Sequence, residues 1–148
     1  GVPTLGEVLA LAAGRATVYV EVKGAGIERL VADVVRAHGA RTPVHAFDHR
    51  VPAAVRSHSP ATPLGILSES YLVDTAHALR AAGARDYWPH RTRVDAALVA
   101  TVHAAGGRVI VWTVNDPDDA IRLAALGVDA ICTDVPDVVA AALARVDF

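Results

Sequence analysis

The sequence predicts a parallel α/β domain, and three observations carry that prediction. Short runs of β-branched and aromatic residues recur along the chain, and each is followed by a stretch with apolar residues at helical spacing. No two of these runs are joined by a tight hairpin signal. Strict alternation of strand and helix means parallel strands joined by right-handed crossovers. About six units are legible, and their spacing fits an open doubly wound sheet or six-eighths of a (β/α)₈ barrel, which takes about 250 residues. Periodicity does not choose between the two.

The elements follow in order. Thr4-Leu-Gly-Glu7 is a capping box, so a helix is expected from Leu5 to Ala13, with Gly14 as its stop. A strand over 17–23 leads into the loop Gly24-Ala-Gly26. A helix over Ile27 to Ala37 follows, with Ile27, Leu30, Val31, Val34 and Val35 on one face and Gly39 at its end. Val44 to Asp48 reads as the next strand and His49 to Ser57 as a helix with Pro52 in its first turn. Pro63 to Ser68 is nearly all apolar, as a strand covered on both faces should be. A helix over Val73 to Ala82 ends at Gly83, and Pro89 limits the strand Asp86 to Pro89. A helix over Val94 to Ala105 closes in Gly106-Gly107. Arg108 to Asn115 is the strongest strand signal, and Asp116-Pro117 caps a helix running to Leu126. Ala130 to Asp134 and Pro136 to Ala144 make the last strand and helix, with Asp134 a candidate cap.

Bulk composition narrows the function. The chain has 148 residues, 53% of them hydrophobic, enough for one domain with a real core. Fourteen basic against sixteen acidic residues give a net charge of -2 with no basic run, which disfavours nucleic acid and acidic membrane surfaces. A single cysteine, Cys132, excludes an intramolecular disulfide and makes a thiolate metal cage improbable. It is compatible with a reducing compartment such as the cytoplasm. No apolar run reaches the roughly 18 residues of a membrane span, so a water-soluble chain is expected. Cys132 itself reads as a small residue of a buried strand.

Thr17-Val-Tyr-Val-Glu-Val-Lys23 is the stretch with the most chemical content. Side chains alternate faces along a strand, so Tyr19, Glu21 and Lys23 point the same way. Ligands of parallel sheets and barrels sit at the carboxyl ends of strands. An anion and a cation there could hold a metal and an anionic group, or simply form an ion pair at a strand end. His49 and His90 also follow strands, as does Asp48; these read first as cap or loop residues. Asp86 and Asp134 are placed after strands as well. His45 reads as a core residue, and His38, His58, His77 and His103 as surface residues. The loop Gly24-Ala-Gly26 lacks the third glycine of a dinucleotide fingerprint.

Five stretches, in order, resemble the glycerophosphodiester phosphodiesterase family. They are Pro3-Thr-Leu-Gly-Glu-Val-Leu9, with Gly6 in place of a usual glutamate; Val20-Glu-Val-Lys23; Ala46-Phe-Asp48; Val111-Trp-Thr-Val-Asn115 with Pro117; and Gly127-Val-Asp-Ala-Ile-Cys-Thr-Asp-Val-Pro136. The resemblance implies a TIM-type (β/α)₈ barrel of which this chain holds about six units, the third to the eighth. It implies a single family domain over residues 1–148, without the two units that carry the family's acid and base histidines. The implied reaction is metal-dependent hydrolysis of a glycerophosphodiester to sn-glycerol 3-phosphate and an alcohol. By the same resemblance Glu21 is a ligand of Mg²⁺ or Ca²⁺, Lys23 contacts the phosphate, and Trp112 is an aromatic wall on the glycerol side. The catalytic acid and base are not assigned to any residue of this chain. The competing expectation is a partial barrel that binds a phosphodiester or a partner without turnover, and self-associates through its open strand edges.

Overall fold

The computed structural model describes residues 1–39 and 42–146. Its elements alternate as expected: α1 (Leu5–Ala12), β1 (Val20–Glu21), α2 (Glu28–Ala37), β2 (Val44–Ala46), α3 (Arg50–His58), β3 (Leu64–Ser68), α4 (Thr75–Ala82), β4 (Asp86–Pro89), α5 (Ala96–Ala104), β5 (Arg108–Val111), α6 (Pro117–Ala125), β6 (Ala130–Ile131) and α7 (Pro136–Leu143). One short 3₁₀ turn, Arg91–Arg93, was not expected. The strands pair in parallel, which makes the fold a partial TIM-barrel α/β fold of six βα units. The chain divides into two compact units, one of Gly1–Ile66 with Arg80–Ala84 and one of Leu67–Leu79 with Arg85–Phe148.

In the first unit β1 pairs with β2, and β2 with β3, with Glu21 opposite His45 and His45 opposite Gly65. α1 begins with the expected capping box: the Glu7 amide donates to Thr4 Oγ1, and Glu7 Oε2 accepts from the Thr4 amide at 2.7 Å. Its second residue, Gly6, has a packing role, because a Cβ there would stand 3.2 Å from the ring of His38, the residue that caps the end of α2. The core of this unit is built from Leu9, Val22, Val31, Val35, Val44 and Val55 among others. Each such side chain stabilises the fold by about 1.5–3 kcal/mol relative to exposure. The face expected of α2 is only partly used: Val31 and Val35 are buried, whereas Leu30 and Ile27 are exposed.

In the second unit β4, β5 and β6 pair in parallel, Tyr87 opposite Val109 and Val111 opposite Ile131. Tyr87, Val109 and Val111 are fully buried on one face of the strands. Leu67, Trp88 and Ile110 cluster on the other, with Trp112 packed against them. Gly107 is fixed by close approach, since a Cβ there would lie 2.9 Å from the Arg85 carbonyl.

Several boundaries differ from expectation, each for a physical reason. β1 is two residues long rather than seven, because only Val20 and Glu21 find partners in the short β2, Val44 and His45. β5 and β6 stop at Val111 and Ile131, where the chain turns into bridges and caps. α5 starts later than expected, at Ala96, because Asp95 caps it by accepting from the Leu98 amide at 2.8 Å. Asp116 caps α6 as expected. Asp134 does not cap α7; Val135 holds that position, and Asp134 accepts instead from Asn115 Nδ2 at 2.9 Å. Cys132 is exposed, just past the end of β6, and not a core residue. No helix among the described residues is long and apolar enough to cross a membrane.

Asp86 also moves. It opens β4 rather than following a strand, at the end away from the carboxyl termini, and it is completely buried. Arg108 holds it with two bonds of 3.0 Å, and Arg85 Nε donates to it at 2.8 Å. Removing one partner of a buried pair strands the other charges, at a cost of about 3–5 kcal/mol, less here because both arginines reach solvent. Asp86→Ala should therefore lower unfolding free energy by about 2–3 kcal/mol in a urea titration; an unchanged midpoint would show that the triad is not structural.

Candidate active site

In the first unit the carboxyl ends of β1 and β2 border a recess of about 360 Å³ lined by Glu21, Lys23, Gly24, Phe47, Asp48 and Val51, among others. Two backbone bonds seat β1 on its neighbour: the Val20 amide donates to Pro43 O at 2.8 Å and the Val22 amide to His45 O at 2.9 Å. With Val22 turned into the core, alternation sends Glu21 and Lys23 to the opposite face, as the sequence predicts. Tyr19 shares that face and leans on the buried His45, ring centres 6.4 Å apart.

Glu21 and Lys23 come together, Nζ to Oε2 at 3.7 Å. Glu21 is not a buried carboxylate, however, since 29% of its side chain is exposed, and the lysine is 80% exposed. An ion pair so open to water holds by less than about 1 kcal/mol. The lysine is thus tethered loosely and can turn toward an anion in the recess.

Asp48 stands at the same rim in a different state. Arg50 grips it with Nη2 at 2.6 Å from Oδ2 and Nε at 2.9 Å from Oδ1, and the Arg50 amide adds a bond of 3.0 Å to Oδ1. The Arg50 side-chain bonds, followed by the amide, bring its pKa down to about 2. Asp48 is therefore a satisfied anion and a poor proton acceptor at neutral pH. Sequence reasoning missed the Arg50 fork and the walls made by Phe47 and Val51; the Asp-x-Arg spacing was the one legible sign. At the start of α2, Glu28 accepts from the Gly26 amide at 3.0 Å, and the amides of Glu28 and Gly26 lower its pKa. That helix start already holds its own carboxylate, which further weakens a nucleotide-binding reading of the glycine loop.

Trp112 belongs to the second unit. Its Nε1 donates to the Trp88 carbonyl at 2.9 Å, and its ring meets that of His90 edge-on, with centres 5.2 Å apart. His90 caps the 3₁₀ turn. His49 precedes α3 and makes no capping bond, and Ser68 Oγ donates to Ser70 O at 2.6 Å. His38, His58, His77 and His103 are exposed as expected, and His103 pairs with Asp129 at 2.9 Å.

Comparison with known proteins decides the family. The model of the Glycerophosphoryl diester phosphodiesterase family matches residues 2–138. The chain belongs to that family. A glycerophosphodiester phosphodiesterase of Caldanaerobacter subterraneus subsp. tengcongensis is 27% identical over 144 residues, 92% of this chain and 59% of that protein. A candidate glycerophosphoryl diester phosphodiesterase of Silicibacter pomeroyi is 30% identical with a TM-score of 0.88, covering 97% of this chain and 57% of that one. An Oleispira antarctica phosphodiesterase, solved with the product sn-glycerol-3-phosphate, matches in fold at 21% identity and a TM-score of 0.87, over 96% of this chain and 61% of that one. The chain thus spans roughly three-fifths of the length of these relatives.

The family resemblance implies Mg²⁺ or Ca²⁺, and the donor set can be tested against that. Such hard cations take six or more oxygen ligands, several of them from protein. Among the described residues no three His, Cys, Asp or Glu side chains gather to hold an ion. At the recess only Glu21 offers a carboxylate, since Asp48 is spent on Arg50. By themselves these residues do not make a metal site.

The Asp48 fork has a pH signature. A depressed carboxylate pKa adds stability above the unfolded value of about 3.9, and that stability is lost as pH falls toward about 2. Carboxyl ¹³C NMR should give Asp48 a midpoint near 2, rising in Arg50→Gln but staying below the ordinary carboxylate range because the backbone amide bond survives; an ordinary midpoint in the parent chain would contradict the fork.

Proposed function

We propose that this chain serves the hydrolysis of a glycerophosphodiester to sn-glycerol 3-phosphate and an alcohol. The observation that carries the reading is the exposed, loosely tethered Lys23 beside Glu21 at a strand end, on the rim of a recess. A phosphodiester is anionic and repels nucleophiles, so its cleavage needs positive charge at the non-bridging oxygens and a proton for the leaving alkoxide. Lys23 supplies the first by swinging from Glu21 to the phosphate. Glu21 returns the lysine to position between turnovers. No histidine of the chain is assigned as the acid or base, and that step is not placed on any described residue.

Metal dependence is part of the proposal, with Glu21 as one Mg²⁺ or Ca²⁺ ligand. Because the described residues do not complete such a site, no step is built on the ion. Glu21→Gln should reduce turnover of glycerophosphocholine by about 100-fold, as expected for loss of an electrostatic contact at the reacting centre, with the circular dichroism spectrum unchanged. Lys23→Met should raise KM more than it lowers kcat. Retained turnover in the glutamine variant would remove Glu21 from the mechanism.

A second reading is favoured by a specific feature, the open side of β1. The Val20 and Val22 amides point to β2, which leaves the Glu21 amide and carbonyl facing away from it. Beside this edge lies an apolar recess of about 600 Å³ lined by Leu5, Val20, Val22, Ile27, Leu30 and Val31, among others. Leu30 is 64% exposed there. An unpaired strand edge next to exposed apolar surface invites another strand, so this reading has the chain self-associate without turnover. Sedimentation velocity at micromolar concentration should then show a dimer or larger species that Leu30→Glu dissolves; a monomer at every concentration would end this reading.

A further inference from the structure

The outer face of α7, in the second unit, carries opposite charges at its two ends. Asp137, Val138, Ala141, Ala144 and Arg145 are exposed on it, whereas Val139 and Ala142 are buried. Steps of three, four and seven residues put the exposed five on one side of a helix. A recess of about 380 Å³ opens against this side, lined by Pro117 at the start of α6 and by Asp137, Val138, Ala141, Ala142 and Arg145.

Asp137 stands in the first turn of the helix and Arg145 just past its cap, Ala144. At 1.5 Å per residue they lie about 12 Å apart along the axis. Each charge suits its own end of the helix dipole. Among the described residues neither side chain has a hydrogen-bond or ion-pair partner. A surface that fits must therefore present the same charges in reverse order over the same length, with small side chains between them.

A second copy of the chain presents that surface. Ala141 is midway between Asp137 and Arg145, so a two-fold axis through it turns the face onto itself. Asp137 then meets Arg145 of the second copy, Val138 meets its Ala144, and Ala141 meets its own counterpart. This is the self-complementarity of an isologous contact. Alanine at the axis lets the helices approach at the close end of the usual 8–10 Å spacing. Val138, 44% exposed in the single chain, loses water against Ala144. Parallel pairing fails, because it sets Asp137 against Asp137 and Arg145 against Arg145.

We infer that this face binds a second copy of the chain, α7 against α7 in antiparallel order. The contact is separate from the open side of β1 and rests on neither reading above. A helix of eight residues covers less than the roughly 1,200 Å² of a stable interface, so the dimer is transient.

The test is sedimentation equilibrium from about 10 μM to about 1 mM, the window of a weak dimer, on the parent chain and in a Leu30→Glu background that removes the β1 edge. A dimer should form in both. Arg145→Asp turns two attractions into two repulsions and should weaken it at least about tenfold, as should Asp137→Arg. The double swap restores opposite charges across the axis and should return the affinity to within about threefold of the parent. Under mild oxidation, Ala141→Cys combined with Cys132→Ser should give a disulfide-linked dimer, because the axis brings the two sulfurs within bonding reach. Ala140→Cys with Cys132→Ser, exposed but on the flank of the helix, should not. A monomer at every concentration in the Leu30→Glu background overturns the inference. So does a double swap that stays as weak as the single ones, or cross-linking through Ala140→Cys in preference to Ala141→Cys.

Discussion

The chemistry of the first unit depends on two backbone hydrogen bonds, from Val20 and Val22 to the strand beside them. They fix which residues of β1 enter the core, and alternation does the rest. A slip of one residue would bury Glu21 and Lys23 and expose Val22. The cost of burying two charges against the gain of burying one valine leaves no competing register. A strand of only two residues in ladder geometry is therefore enough to place the pair at the recess.

The three charges at that rim are not equivalent, and geometry separates them. Asp48 is closed off by a short bidentate fork, which lowers its pKa and removes it from proton transfer. Glu21 and Lys23 are farther apart and open to water, so their attraction positions the lysine without trapping it. An anion arriving in the recess finds one cation free to reorient. Asp86, buried between Arg85 and Arg108 at the start of β4, shows the opposite arrangement, in which tight pairing serves stability alone.

Much of this was legible in the sequence where local chemistry decides the outcome. The Thr4–Glu7 capping box, the Asp116 cap before Pro117 and the alternation that aligns Glu21 with Lys23 all follow from residues a few positions apart. What could not be read depends on partners distant in the chain. The length of β1 is set by the short stretch of β2 it pairs with, the burial of Asp86 by Arg108 across the ladder, and the exposure of Cys132 by the early end of β6. The same holds at the site: the motif around Glu21 pointed to a metal, but a coordination shell is a property of several strands, and one carboxylate cannot report it.

The central claim is that the Glu21–Lys23 end of β1 serves phosphodiester hydrolysis. It is tested most directly by incubating the purified chain with glycerophosphocholine and Mg²⁺ or Ca²⁺, and measuring released sn-glycerol 3-phosphate, with EDTA as control. The account predicts release above the protein-free control. None at any protein concentration would contradict it.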